Sequence, residues 1–306
     1  MLAGRRIAVA TALLWAALVA TGCGLGPGAD VGAVRLTVTH EFGAVPVLER
    51  EAEAKESATV MRVLESEADI TTRYGGGFVQ SIEGTSGGER GGRSYDWFFF
   101  VDGVESSVGA AEYSLRGGER IWWDYRDWVA TSHVPAVVGS FPAPMSDGYR
   151  GQRHPVALVC DGGGSACGLA RARLEAAGVV LAKGLPEGAI RVLVGPWVRL
   201  RSDPAAALVE AGPAESGIYA DFEPGAGGVR LHGLDPTAAD ARAFSPGTGL
   251  VAATRHFEAP PTWLVTGATP AAVRAAAASL SEAKLRDHYA VAVEGSKVTP
   301  LPIGAG

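Results

Sequence analysis

Tyr95-Asp96-Trp97-Phe98-Phe99-Phe100-Val101, closed by Asp102-Gly103 and followed by Arg120-Ile121-Trp122-Trp123-Asp124-Tyr125, is the stretch on which the fold of this chain turns. Two aromatic runs with a turn dipeptide between them predict neighbouring β-strands, because aromatic side chains favour a pleated, half-buried surface. Alternation sends Tyr95, Trp97 and Phe99 to one face and Phe98 and Phe100 to the other. In the second run Ile121, Trp123 and Tyr125 oppose Trp122 and Asp124. Aromatics therefore stand on both faces of the expected sheet, and each buried ring removes about 150–250 Å² from water. One helix covers one face. The other needs the second half of the chain, a ligand meeting Trp97, Trp122 or Trp128, or a protein partner.

Upstream, Val34-Arg35-Leu36-Thr37-Val38-Thr39 alternates as a half-buried strand. Ser57 to Ser66 puts Val60, Val63 and Leu64 on one helical face, with Ser57 as the N-cap. After Tyr74, the glycines Gly75 to Gly77 lead into Phe78-Val79-Gln80-Ser81-Ile82, and Gly84 to Gly92 reads as a mobile polar loop. Strands, one helix and strands over residues 33–132 predict a small α+β domain. Tyr95 to Gly103, Ala111-Glu112-Tyr113-Ser114-Leu115-Arg116-Gly117-Gly118-Glu119-Arg120-Ile121-Trp122 and the upstream helix resemble the bacterial domains related to the C-terminal domain of transcobalamin and intrinsic factor. That resemblance implies a β-grasp fold. The animal proteins close this domain over cobalamin, so it also implies cobalamin or another nutrient as ligand, delivered to a transporter. Tyr74, Trp97, Trp122 and Trp128 are the aromatic residues expected to meet it.

Residues 133–152 carry Pro135, Pro142, Pro144, Gly139 and Gly148 and read as an ordered connector. Residues 153–306 then alternate strand and helix. Strands are expected at Val156–Cys160, Ile190–Val194, Ile218–Ala220, Gly249–Arg255, Thr262–Thr266 and Ala290–Val293, and helices at Leu169–Ala177, Pro204–Ala211 and Pro270–Leu280. Such alternation predicts a layered α/β region, parallel or ferredoxin-like. Arg191 to Ala206 and Thr262 to Ala272 look alike: a strand ends in glycine, and Asp203-Pro204 or Thr269-Pro270 opens the next helix, as a duplicated unit would. Val192-Leu193-Val194-Gly195-Pro196-Trp197 also resembles the peptidoglycan-binding sporulation-related repeat, whose ferredoxin-like fold would occupy Val156 to Phe222.

The N-terminus decides the compartment. Arg5 and Arg6, an apolar run from Ile7 to Ala20, and Thr21-Gly22 before Cys23 have the layout of a signal peptide spanning residues 1–22. The run is shorter than the roughly 20 residues needed to cross a bilayer. Val19-Ala20-Thr21-Gly22-Cys23 resembles the bacterial lipobox, which implies acyl chains on Cys23 and a tether over residues 23–32, with the protein on the extracytoplasmic face of the cell membrane. Removing the signal takes the formal charge from −6 to −8, since Arg5 and Arg6 leave and no acid does. A mildly acidic chain without a Lys/Arg run offers nucleic acid no electrostatic footprint. In an oxidising compartment Cys160 and Cys167 are expected as a disulfide, the alternatives being free thiols or a metal site; without a nearby histidine pair they make a poor zinc site.

No catalytic motif emerges. Gly163-Gly164-Ser165-Ala166-Cys167 has cysteine where a nucleophile elbow needs glycine, so Ser165 reads as a helix cap. The six histidines show no metal-binding spacing, and Asp124-Tyr125-Arg126-Asp127 reads as a solvated strand end rather than a cation site. The sequence thus predicts a non-enzymatic binding lipoprotein needing no cofactor and no metal. The alternative is a cell-envelope interaction protein that binds protein or peptidoglycan without a small-molecule ligand.

Overall fold

The computed structural model describes residues 30–225 and 228–305; residues 1–22, expected as a signal peptide, and Cys23 lie outside them. In the first region β1 (Asp30–His40) forms a hairpin with β2 (Val45–Lys55), and α1 (Val60–Glu67) follows. Then come β3 (Ile70–Arg73), β4 (Phe78–Ile82), β5 (Thr85–Ser86), β6 (Gly88–Arg90), β7 (Arg93–Val101), β8 (Val104–Glu105) and β9 (Arg120–Asp127). The main sheet runs β2-β1-β9-β7-β6, with β8 also on β7, while β3, β4 and β5 form a small sheet of their own. β1 pairs in parallel with β9, setting Leu36 beside Ile121 and Val38 beside Trp123. A parallel pair needs a long crossover, and α1 with the intervening strands supplies it.

Two local expectations are corrected. The cap of α1 is Thr59, whose hydroxyl accepts from the Arg62 N–H at 3.2 Å, because Thr59 has the extended backbone a cap requires. The Gly84–Gly92 stretch is not a loop throughout: β5 and β6 lie within it, and β6 pairs with the start of β7. Unannounced by alternation is β2, whose solvent side carries Glu49, Glu51 and Glu53 while Ala52 and Ala54 are buried.

In the second region β10 (Val156–Cys160), α2 (Ser165–Ala176), β11 (Ile190–Pro196), α3 (Trp197–Leu200), α4 (Pro204–Ala207) and α5 (Pro213–Ser216) come first. β12 (Ala220–Gly225), β13 (Gly228–Leu234) and β14 (Asp240–Ala243) make a separate antiparallel sheet. β15 (Thr248–Thr254), β16 (Thr262–Gly267), α6 (Pro270–Ala278), α7 (Glu282–Leu285), β17 (Ala290–Glu294) and β18 (Lys297–Leu301) complete the chain. The large sheet runs β10-β11-β16-β15-β17-β18; its first three strands are parallel and the rest antiparallel. One face packs on α2 and α6, through Leu174, Val273 and Ala277. The opposite face packs on Trp197, Val209 and Phe222, with Trp197 stacked on Phe222 at 4.5 Å.

This is the layered α/β arrangement with parallel strands. Val156 to Phe222 does not close into a ferredoxin-like unit, since β11 continues into β16 and β12 departs to the small sheet. Asp203 and Thr269 both cap helices, accepting from Ala205 and Ala272 N–H groups. Their helices nonetheless bury Ala206 and Val273 on opposite faces of the sheet, so the likeness is one of capping chemistry. Ser165 is the first residue of α2 and Gly164 the cap, again unlike the expectation. The connector is part of the core: Val138, Phe141, Met145 and Tyr149 pack against α2 and the large sheet, and Val134 and Val137 fill the seam between the regions. Among the described residues no helix is long and apolar enough to cross a membrane.

Candidate functional site

The two faces of the aromatic sheet separate as alternation requires. Val34, Leu36, Val38, Ile121, Trp123, Tyr125 and Trp97 pack with α1 in one cluster. Phe100 and Trp122 point the other way and meet Phe42, Tyr219, Leu234 and Tyr289. The second half of the chain therefore covers the second face. Trp122 is 2% exposed there, with its indole N–H donated to the Thr39 hydroxyl at 2.8 Å and its ring edge-on to Tyr289 at 5.4 Å.

The seam also buries the acidic turn of β9. Asp124 accepts from the Thr39 hydroxyl (2.6 Å), the Phe42 and Gly43 N–H groups (3.0 and 3.1 Å) and the Tyr289 hydroxyl (3.0 Å). Glu41, Phe42 and Gly43 all have positive φ, which turns successive N–H groups onto one carboxylate. Gly43 is required, because a Cβ there would collide with the Asp287 carbonyl oxygen. Burial raises the Asp124 pKa, with these donors and Arg126 opposing it. Arg126 donates to the Asp127, Thr131 and Ser132 carbonyls and lies 3.9 Å from the Phe98 ring centroid, while Asp127 pairs with Arg93. The stretch read as a solvated strand end is thus fully buried, Asp124 under Tyr289 of the second region, Tyr125 against His40 and Trp97 on the helix side, and Asp127 against Arg93.

The helix-side face is open at one edge. β6 holds the outer side of β7 at Arg93–Tyr95 and β8 holds it at Phe100–Val101; among the described residues no strand pairs with Asp96–Phe99 from that side. A recess of about 280 Å³ lies at this gap, lined by Met61, Phe78, Val79, Trp97, Phe99 and Trp123. The Trp97 indole is 5% exposed, donates to the Thr85 carbonyl at 3.0 Å and packs on Tyr125 and His40. Its own backbone N–H is held by the Asp96 carboxylate at 2.9 Å, and burial raises that carboxyl's pKa. At the rim Tyr74 is 85% exposed, edge-on to the half-exposed Phe78 at 6.2 Å. Tyr74, Gly75 and Gly76 all have positive φ, and the bare glycines leave the tyrosine ring no other cover. Glu105, also at the recess, pairs with His133 and raises its pKa.

Of the expected ligand residues, Trp97 lines the recess, and Tyr74, outside the lining, adjoins it through its ring contact with Phe78. Trp122 is sealed in the seam on the opposite face, and Trp128, 39% exposed beyond β9, is not in the lining. Met61, Phe78, Phe99 and Trp123 are lining residues the sequence reading passed over as sites. Alternation placed Phe99 and Trp123 beside Trp97, whereas Met61 and Phe78 arrive by folding. Cys160 and Cys167 form a disulfide with Cα atoms 6.0 Å apart. Among the described residues no group of three or more His, Cys, Asp or Glu side chains is placed to hold a metal.

Residues 57–127 match the model of a family described as a domain of unknown function (DUF4430), which covers α1, β7, β9 and the recess. One similar solved structure, from Ruminococcus gnavus ATCC 29149, is described as a "putative metal binding protein". It has 18% identity to this chain and a TM-score of 0.25, over 31% of this chain and 97% of the other. No curated protein matches the chain.

Proposed function

We infer that this is an extracytoplasmic binding lipoprotein, anchored to the membrane through Cys23, whose first region is a β-grasp domain offering the β7 recess to an apolar or aromatic ligand. Cobalamin, or another nutrient handed to a transporter, is the ligand the family resemblance favours. The observation that carries the reading is Tyr74 and Phe78 left in solvent at the rim of an apolar recess, where large exposed aromatic surface marks recognition. The order β2-β1-β9-β7, with a parallel β1–β9 pair, supports the β-grasp assignment. Two acyl-type anchors would hold such a protein stably, whereas one chain binds marginally.

The recess is at the small end for enclosing a whole ligand, so it takes an edge or ring while the rest lies over Tyr74. Cobalamin titrated into the protein at micromolar concentration should quench tryptophan fluorescence, and Tyr74→Ala should weaken binding about tenfold, as loss of an aromatic anchor does. Mass spectrometry should find Cys23 acylated. An unquenched signal, with one dominant envelope protein co-purifying and lost on Tyr74→Ala, would favour the alternative of a protein-interaction module. The exposure of Val108 at 43%, beside the recess residue Gly109, is what speaks for that second reading.

A further inference from the structure

The large sheet of the second region ends in an edge unlike the others. Among outermost strands of five or more described residues, β2 carries Pro46 and alternating Glu49, Glu51 and Glu53, β12 carries Asp221, Glu223 and Pro224, and β18 carries Lys297 and Pro300. Charge and proline on an edge discourage further strand pairing. β10, Val156-Ala157-Leu158-Val159-Cys160, has neither.

Its backbone directions follow from two bonds. The Pro155 carbonyl accepts from the Ile190 N–H at 2.9 Å, and the Asp161 N–H donates to the Val194 carbonyl at 3.0 Å. Residues 155, 157, 159 and 161 therefore face β11, and residues 156, 158 and 160 face outward. The outward Val156 carbonyl accepts from the Ala182 N–H at 2.8 Å, where residues 181 and 182 run beside the start of the strand. Past that point the chain bends at Lys183-Gly184, and the outward N–H and C=O groups of Leu158 and Cys160, whose other side is the β11 pairing, have no backbone partner among the described residues. A groove of about 720 Å³ remains there, lined by Leu158, Val159, Leu181, Leu185, Arg171 and Lys183. Leu185 is 59% exposed on its wall, and adjoining Val180 is 84% exposed. The charged residues lining it are both basic; Arg171 is held only by a half-exposed pair with Glu175 at 3.5 Å, and Lys183 makes no ion pair among the described residues.

The geometry points to β10 as a docking edge for an extended, acidic segment of a partner protein, which adds a short strand beside Leu158 and Cys160, seats an apolar side chain on Leu185 and brings carboxylates to Arg171 and Lys183. Strand addition draws affinity from main-chain bonds and specificity from alternate side chains. A second copy of this chain is the less favoured occupant, since edge-to-edge pairing would bring two basic grooves together. The site shares no residue with the β7 recess and stands or falls separately from it.

The test uses the full chain and an acetylated six-residue peptide alternating valine and glutamate. Hydrogen exchange at the Leu158 and Cys160 amides should slow about tenfold or more at saturating peptide, as expected for newly bonded amides. The same peptide with lysine for glutamate should bind about tenfold more weakly, and Arg171→Glu with Lys183→Glu should reverse that preference. Both substitutions are on exposed side chains, so near-ultraviolet circular dichroism should stay native. Unchanged exchange at both amides in roughly millimolar peptide, or equal protection by the lysine peptide, overturns the proposal. Protection that appears without peptide and rises with protein concentration also overturns it, in favour of self-association.

Discussion

The two faces of the aromatic sheet begin from the same kind of sequence and end in different states. On the seam side, Trp122 and Phe100 are closed over by the connector and the second region, and polar groups are buried with them. Asp124 has four donors, and Arg126 has three carbonyls and a ring. On the helix side one short helix covers most of the sheet and leaves a gap at β7, where Tyr74 and Phe78 meet solvent. The difference teaches that exposed aromatic surface marks a site only where the chain itself has nothing left to cover it. Trp122 and Trp97 read alike in sequence, and the second region decides between them.

The contrast can be broken most forcefully at Asp124. Asp124→Ala leaves two backbone N–H groups and two hydroxyls unpaired in a closed seam, and should cost about 3–5 kcal/mol in urea unfolding. A cost under about 1 kcal/mol would mean the seam hydrates freely. On the other face Leu64→Ala, at a fully buried site in α1, should cost about 2–5 kcal/mol by cavity formation. Fluorescence and far-ultraviolet circular dichroism should report one transition for both variants if the seam couples the regions. Away from both faces, Cys160→Ser with Cys167→Ser opens a loop of sequence separation 7 and should lower stability by about 2 kcal/mol.

A finer test lies at Asp102, in the β7–β8 turn, where the carboxylate accepts the Arg120 N–H at 3.0 Å. Burial, with Glu119 and Asp147 adding to it, holds its pKa well above the ordinary range against that backbone bond. A carboxyl that keeps its proton longer when folded stabilises the protein at low pH. That contribution is lost as pH rises from about 4 through the raised folded value. Asp102→Asn keeps the acceptor and removes the charge, so it should be more stable than the parent at neutral pH, with the gap closing toward about pH 4. Thermal melts across that range read the effect. Tyr74→Ala should move stability least, within about 0.5 kcal/mol, while changing ligand affinity.

Much of this was legible in the chain. The alternation of Tyr95 to Val101 and Arg120 to Tyr125 assigned each side chain its face, and the Asp102-Gly103 turn, the capping pairs Asp203-Pro204 and Thr269-Pro270 and the spacing of Cys160 and Cys167 were read correctly, because each rests on local backbone geometry or short separation. β2 was hidden by its charges, since an edge strand carries them on its open side without cost. The burial of Asp124 and Arg126 was hidden for a different reason: the Tyr289 hydroxyl and the Phe98 ring that close over them come from distant parts of the chain and meet them only on folding, whereas the Thr131 and Ser132 carbonyls lie five and six residues from Arg126.

By itself the sequence determined which residues alternate, where the helices at Pro204 and Pro270 and the turn at Asp102-Gly103 begin, and that aromatics would stand on both sides of one sheet. Which of those sides became interior and which kept an opening was decided by the tertiary structure. Burial is a property of what arrives opposite a residue, and no local pattern in Trp97 or Trp122 encodes what that is.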